Sequence, residues 1–147
     1  MDTPDLMEDL TILTGATGTI GASVAKELVK NGNHVLLVGR SKEKLDKLSR
    51  ELEPSSGQIE IFQTDLKNEE SGSDIFSHAK SLRKTIRNLI CCHGESHLAS
   101  ISRTPREVFS NLTKLNYTSL FFLCQEASTS LERGGSIVII TSPVGQK

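Results

Sequence analysis

Five short apolar runs alternate along this chain with segments whose apolar residues recur every three or four positions, an order that few folds accept. The runs are Leu10-Thr11-Ile12-Leu13, His34 to Gly39, Ile59 to Gln63, Leu89 to Cys92 and Ser136 to Thr141. Between them lie four helical patterns. The first carries Ile20, Val24, Ala25, Leu28 and Val29, and the second Leu45, Leu48 and Leu52. The third carries Ile75, Ala79, Leu82 and Ile86, and the fourth Val108, Leu112, Leu115, Ser119, Leu123 and Ala127. Runs such as His34 to Gly39 are apolar throughout rather than alternating, as in parallel strands buried on both faces. Strand–helix alternation of this kind predicts an α/β fold, a doubly wound parallel sheet with helices on both faces. Right-handed crossovers give the strand order 3-2-1-4-5, with the switch point beside the first strand.

Local punctuation agrees with that division. Asn31-Gly32-Asn33 reads as a helix stop with glycine in the left-handed position, and Ser41 as a helix cap. Pro54-Ser55-Ser56-Gly57 breaks the second helix, and Gly134-Gly135 ends the fourth. Thr104-Pro105-Arg106-Glu107 has the form of a capping box with proline at the first helical position. Nothing marks a repeat or a second domain, so residues 1–147 are expected to form one domain.

Hydrophobic residues make up 36% and charged residues 24% of the chain, a soluble, globular composition. The net charge is −1 with the two signs interleaved, which argues against nucleic acid or an anionic membrane as partner. Met1 to Asp9 is acidic and lacks the apolar stretch of a secretory signal. The runs Leu120 to Cys124 and Ile137 to Ile140 are far too short to span a bilayer. The expected compartment is the cytosol, with mitochondrial import after processing left open. Cys91, Cys92 and Cys124 form no CxxC pair. Cys91-Cys92-His93 with His97 does not suit a metal, because adjacent strand residues point to opposite faces. Buried thiols are expected instead.

The first run leads directly into Thr14-Gly15-Ala16-Thr17-Gly18-Thr19-Ile20-Gly21. A strand, a glycine turn and a helix start together make a phosphate site. Unpaired N–H groups and the helix dipole favour an anion, and glycines let backbone approach a pyrophosphate. In a sheet of this kind ligands bind outside the C-terminal strand ends. The second strand ends in Gly39-Arg40-Ser41, where an acidic residue would accept from a ribose 2′-OH. A guanidinium there suits a 2′-phosphate instead, which favours NADP over NAD. Asp65 after the third strand can accept from an adenine amino group or serve an ordinary turn. Gly94 after the fourth lets backbone pass close to a ribose.

These landmarks in this order resemble the short-chain dehydrogenase/reductase family, with its Rossmann-like fold, from Leu10 to about Gly145. Thr14-Gly15 through Ile20-Gly21 resembles the cofactor turn, Gly39-Arg40 the NADP-preferring second strand end, and Asp65-Leu66 the adenine-side pair. Cys91-Cys92-His93-Gly94 stands where Asn-Asn-Ala-Gly is usual. Leu115-Asn116 resembles the family's structural and proton-relay asparagine, and Ser136 to Ser142 the strand ending in the catalytic serine. The resemblance thus implies Gly15, Thr17, Gly18, Thr19, Ile20, Gly21, Arg40, Ser41, Asp65, Leu66, Cys92 and Gly94 for the cofactor. It implies Asn116 and Ser142 for catalysis, and no metal. Glycine spacing at 15, 18 and 21 is that of the extended branch, while the remaining landmarks are those of the short branch.

In the family a tyrosine follows the serine by roughly a dozen residues, with a lysine four further on. No Tyr-x-x-x-Lys pair occurs in these 147 residues, and Tyr117, the one tyrosine, is a helix neighbour of Asn116 facing about 100° away. The resemblance therefore implies a C-terminally truncated member, marginally stable alone. Its fifth strand would be an open edge, apolar from Ile137 to Ile140, inviting a homo-oligomeric or hetero-subunit partner. The activity implied is an NADPH-dependent reduction of a small-molecule carbonyl, lost in the truncated chain. The stretch from Gly94 through Thr104 to Cys124-Gln125-Glu126-Ala127 is loosely similar to 3-oxoacyl-carrier-protein reductases. Alternatives are a non-catalytic nucleotide-binding or partner-binding subunit, and a fragment without function.

Overall fold

The computed structural model describes residues 8–52 and 57–142. Residues 1–7, residues 53–56 with most of the expected helix breaker, and residues 143–147 lie outside these. The strands are β1 (Asp9–Thr14), β2 (His34–Gly39), β3 (Ile59–Gln63), β4 (Thr85–Cys91) and β5 (Ser136–Ile139). All pair in parallel in the order β3-β2-β1-β4-β5, as the alternation predicts. The helices are α1 (Thr19–Lys30), α2 (Lys42–Leu52), α3 (Ser71–Ser81), α4 (Arg106–Thr113) and α5 (Ser119–Ser130), with a 3₁₀ turn at Ile101–Arg103. A π turn, Lys114–Thr118, joins α4 to α5 so that the two run on as one helix.

Strand pleating sends alternate residues to opposite sides, and the core is accordingly double. On one side Leu10, Ile12, Leu36 and Val38 pack with Ile75, Phe76 and Ala79 of α3 and Leu123 and Ala127 of α5. On the other, Leu13, Val35 and Leu37 pack with Ala25 and Val29 of α1 and Leu45, Leu48 and Leu52 of α2. Cys91 belongs to the first side and Cys92 packs against the second, as adjacent residues of an extended chain must. Asn33 and Gly32 follow α1 as expected, with Gly32 at φ +82°.

Four boundaries differ from the sequence reading. Ile86 belongs to β4, not to the third helix, which ends at Ser81. The cause is a bulge: Leu10 pairs with Ile86 and Thr11 with Asn88, leaving Arg87 as an extra residue. Ile86 and Leu89 thereby share a face although three positions apart, a spacing that imitates a helix. The capping box does not form. Thr104 Oγ1 donates to the Ser100 carbonyl within the 3₁₀ turn, and Pro105, not Thr104, stands at the N-cap of α4. Helix α5 ends at Ser130, before Gly134, whose positive φ turns the chain into β5. Strand β5 itself stops at Ile139, short of the expected Thr141.

A polar row crosses the sheet beneath the bulge. Ser136 Oγ donates to Asn88 Oδ1, and Asn88 Nδ2 donates to the buried Thr11 hydroxyl. Beyond β4, Ile137, Val138, Ile139 and Ile140 of the edge keep 40–44% of their surface exposed. No helix among the described residues is long and apolar enough to cross a membrane.

Candidate functional site

Thr14 is the last residue of β1, and Gly15 then adopts φ +66°, a region costly for residues with a Cβ. A Cβ there would also stand 2.6 Å from the His93 nitrogen, so the turn lies directly against the backbone leaving β4. A Cβ on Gly21 would collide with the Gly15 carbonyl, which fixes how closely α1 starts to β1. Gly18 occupies the N-cap of α1 with no side-chain hydrogen bond, and the first turn holds no acidic residue. The positive end of the helix dipole is thus left without an internal counter-charge. The buried stripe of α1 is Gly21, Ala25 and Val29. Ile20, expected on that stripe, is 54% exposed because it sits about 100° around the helix from Gly21.

At the end of β2, Gln63 Nε2 donates to the Arg40 carbonyl, and the Thr64 N–H to that of Gly39. Arg40 Nη2 reaches Glu95 Oε1 at 2.9 Å. Ser41 caps α2 as expected, its hydroxyl accepting from the Lys44 N–H. After β3, Asp65 Oδ1 accepts from the Lys67 N–H and closes a turn, while Leu66 is buried in the first core.

The segment after β4 is held from two directions. Asn116 lies in the π turn, and its carboxamide clasps Glu95: Nδ2 donates to the Glu95 carbonyl and Oδ1 accepts from the Glu95 N–H. A π turn is itself a frequent companion of functional sites. His93 points inward, with Nδ1 2.7 Å from Thr14 Oγ1 and Nε2 3.0 Å from Ser119 Oγ. Because Ser119 already donates to the Leu115 carbonyl, Nε2 must be the protonated nitrogen and Nδ1 must accept from Thr14. Burial depresses the His93 pKa to about 4. Burial likewise pushes the Cys91 thiol up to about 12 and raises that of Cys92, so neither is a thiolate nucleophile at neutral pH.

A cavity of about 250 Å³ opens at these strand ends. Gly15, Thr17 and Gly18 line one side, Arg40 and Lys44 another, and Leu66, Cys92 and Gly94 the rest together with Thr64 and Glu95. Through Cys92, His93, Gly94 and Glu95 it adjoins a second hollow of about 730 Å³, lined also by Asn116, Leu120, Ile140 and Ser142. The structure therefore gathers most of the expected cofactor residues in one cavity and both expected catalytic residues in the next. Thr19, Ile20, Gly21, Ser41 and Asp65 line neither. Lys44, Thr64, His93 and Glu95 were not singled out from the sequence as site residues. Lys44 could have been, standing four positions after Arg40 at a helix start; Glu95 carries no local signal.

Residues 9–147 match the family model described as short chain dehydrogenase. The chain is 32% identical over 143 residues to a 3-oxoacyl-(acyl-carrier-protein) reductase of Rickettsia bellii, covering 96% of this chain and 56% of that protein. A short-chain type dehydrogenase/reductase from Mycobacterium ulcerans superposes with a TM-score of 0.85 at 27% identity, over 93% of this chain and 52% of that one. A 3-oxoacyl (acyl-carrier-protein) reductase from Agrobacterium tumefaciens, solved with NADP bound, shares the fold with a TM-score of 0.81 at 22% identity, over 93% and 54%. The chain thus spans about half the length of the relatives it matches.

Proposed function

Since this chain belongs to the short-chain dehydrogenase/reductase family, we propose that residues 1–147 form its dinucleotide-binding domain and serve an NADP(H)-dependent reduction of a carbonyl compound. The observation that carries the choice of cofactor is Arg40, with Lys44, lining the cavity where β2 ends. Two cations there suit a 2′-phosphate, whereas a carboxylate in that place would suit a 2′-hydroxyl. The open start of α1 and the Gly15 to Gly18 turn suit the pyrophosphate, and Thr19, Ile20 and Gly21 continue that helix start. The Thr64–Leu66 side takes the adenine, with Asp65 between those two residues, and Ser41 holds the helix that carries Lys44. Cys92 and Gly94 flank the ribose.

A bound nicotinamide dinucleotide supplies the hydride in reduction and takes it up in the reverse direction. The chain's own part is positioning. Ser142, in the hollow next to the cofactor cavity, donates a hydrogen bond to the substrate carbonyl and orients it. Asn116 holds the Glu95 backbone, and with it the wall shared by the two cavities. A 3-oxoacyl substrate is supported by the reductases of that name among the relatives.

One observation favours a second reading. Tyr117, the one tyrosine of the sequence, is 71% exposed and lines neither cavity, so these residues offer no phenol to protonate the carbonyl. In that reading the chain binds dinucleotide without turning it over.

Fluorescence titration of the chain with NADPH and NADH tests the proposal, with Arg40→Asp as the decisive variant. Tighter binding of NADPH, weakened by about ten-fold or more in Arg40→Asp while NADH changes little, is expected. Absence of saturable binding, or equal loss for both, overturns it. NADPH binding without ketone-dependent oxidation selects the second reading.

A further inference from the structure

Arg40, the residue that reads the 2′-phosphate in the function proposed above, already has an anion. Its guanidinium lies 2.9 Å from the Glu95 carboxylate, and both side chains line the same cavity. Arg40 follows β2 and Glu95 follows β4, while the strand between them in the sheet is β1. The pair therefore bridges the turn that leaves β1, where the dinucleotide would enter. Both side chains are about half exposed, at 56% and 42%, so solvent screens the pair and an incoming dianion can displace it. Glu95 is nevertheless not free to leave the site, since its backbone N–H and carbonyl are both held by Asn116.

We propose that Glu95 is a specificity-determining residue that competes with the cofactor's 2′-phosphate for Arg40. The phosphate of NADPH must take the guanidinium from Glu95 and then tolerate a carboxylate anchored nearby. NADH carries no such phosphate and leaves the pair in place. Glu95 thus narrows the preference for the phosphorylated cofactor that Arg40 by itself would create. Like charges near a shared cation weaken each other's binding, and the effect is screened by salt.

The inference rests on the NADP(H) reading, and one experiment separates the two. NADPH and NADH affinities are measured on the chain and on Glu95→Gln, at low and at high ionic strength. The substitution is isosteric and leaves the backbone clasp by Asn116 intact. NADPH affinity is expected to rise about three- to ten-fold at low salt, NADH by less than two-fold, and the difference to shrink at high salt. An unchanged or lowered NADPH-to-NADH ratio, or an equal gain for both, overturns the role of Glu95 while leaving the cofactor reading standing. Failure of the unmodified chain to bind either nucleotide overturns the cofactor reading itself. Glu95→Ser replaces Glu95→Gln in the same measurement should the latter not fold.

Discussion

His93 accepts a hydrogen bond from the Thr14 hydroxyl at 2.7 Å, tying the segment after β4 to the last residue of β1. The same ring donates to Ser119, so one neutral imidazole joins the sheet to the start of α5. Thr14 and Ser119 are both buried, which leaves the ring few other partners.

A pH dependence follows. Burial holds the His93 pKa near 4, below its ordinary value of 6.5, so between those values the unfolded chain binds a proton that the folded chain refuses. Stability is full above pH 6.5 and falls as pH drops toward 4, by roughly 3 kcal/mol in all. Urea midpoints across pH 7 to 4 should show the loss. In His93→Gln the chain should start less stable, yet lose distinctly less across that window.

The clasp between Asn116 and Glu95 should cost about 1–2 kcal/mol to break, two net hydrogen bonds in a partly exposed place. Asn116→Ala is expected to lower the denaturation midpoint accordingly and to loosen exchange protection at the Glu95 amide. Asn116→Asp retains an acceptor for that amide but not the donor, and should fall between the two.

The glycines of the first turn should not be equivalent. Gly21→Ala forces a Cβ into the Gly15 carbonyl and should destabilise the chain by about 2–4 kcal/mol. Gly18→Ala meets only that same oxygen at 3.4 Å and keeps an extended N-cap, so it should cost only about 1 kcal/mol, the penalty of alanine at an N-cap. Thermal denaturation of both variants side by side checks the contrast.

Ile86 is 4% exposed in β4, and Ile86→Ala should cost about 2–5 kcal/mol by chemical denaturation. A comparable truncation at Ile20, which is exposed, should change stability by less than about 0.5 kcal/mol.

Strand order and both faces of the core were legible because runs such as His34 to Gly39 have no polar alternation and Leu45, Leu48 and Leu52 keep strict helical spacing. The position of Arg40 could be read for a related reason: it follows a strand end, where this topology places ligands. The bulge at Arg87 could not be read, because one extra residue changes the phase of a strand without leaving a mark in composition. Nor could the pairing of Arg40 with Glu95, or of Thr14 with His93. Both join residues more than fifty positions apart, and only the closed sheet brings them together. Thr104 shows the opposite failure. A clear local signature lost to the competing 3₁₀ turn, whose Ile101 carbonyl takes the Thr104 N–H and whose Ser100 carbonyl takes its hydroxyl.

The π turn at Lys114–Thr118 has a consequence for how the long helix tolerates change. Its turn is wider than the 3.6 residues of an α-helix, so it takes up a surplus residue. Leu115, Ser119, Leu123 and Ala127, each four apart, remain buried along its length. Removing one residue from this turn would let it relax to ordinary α-helical winding. Everything on its N-terminal side would then keep nearly its present facing toward the sheet, because the wide turn had already absorbed the extra residue. A single-residue deletion here that spares Asn116 should therefore disturb the helix less than one within α4 or α5, and keep the hold on the β4 loop.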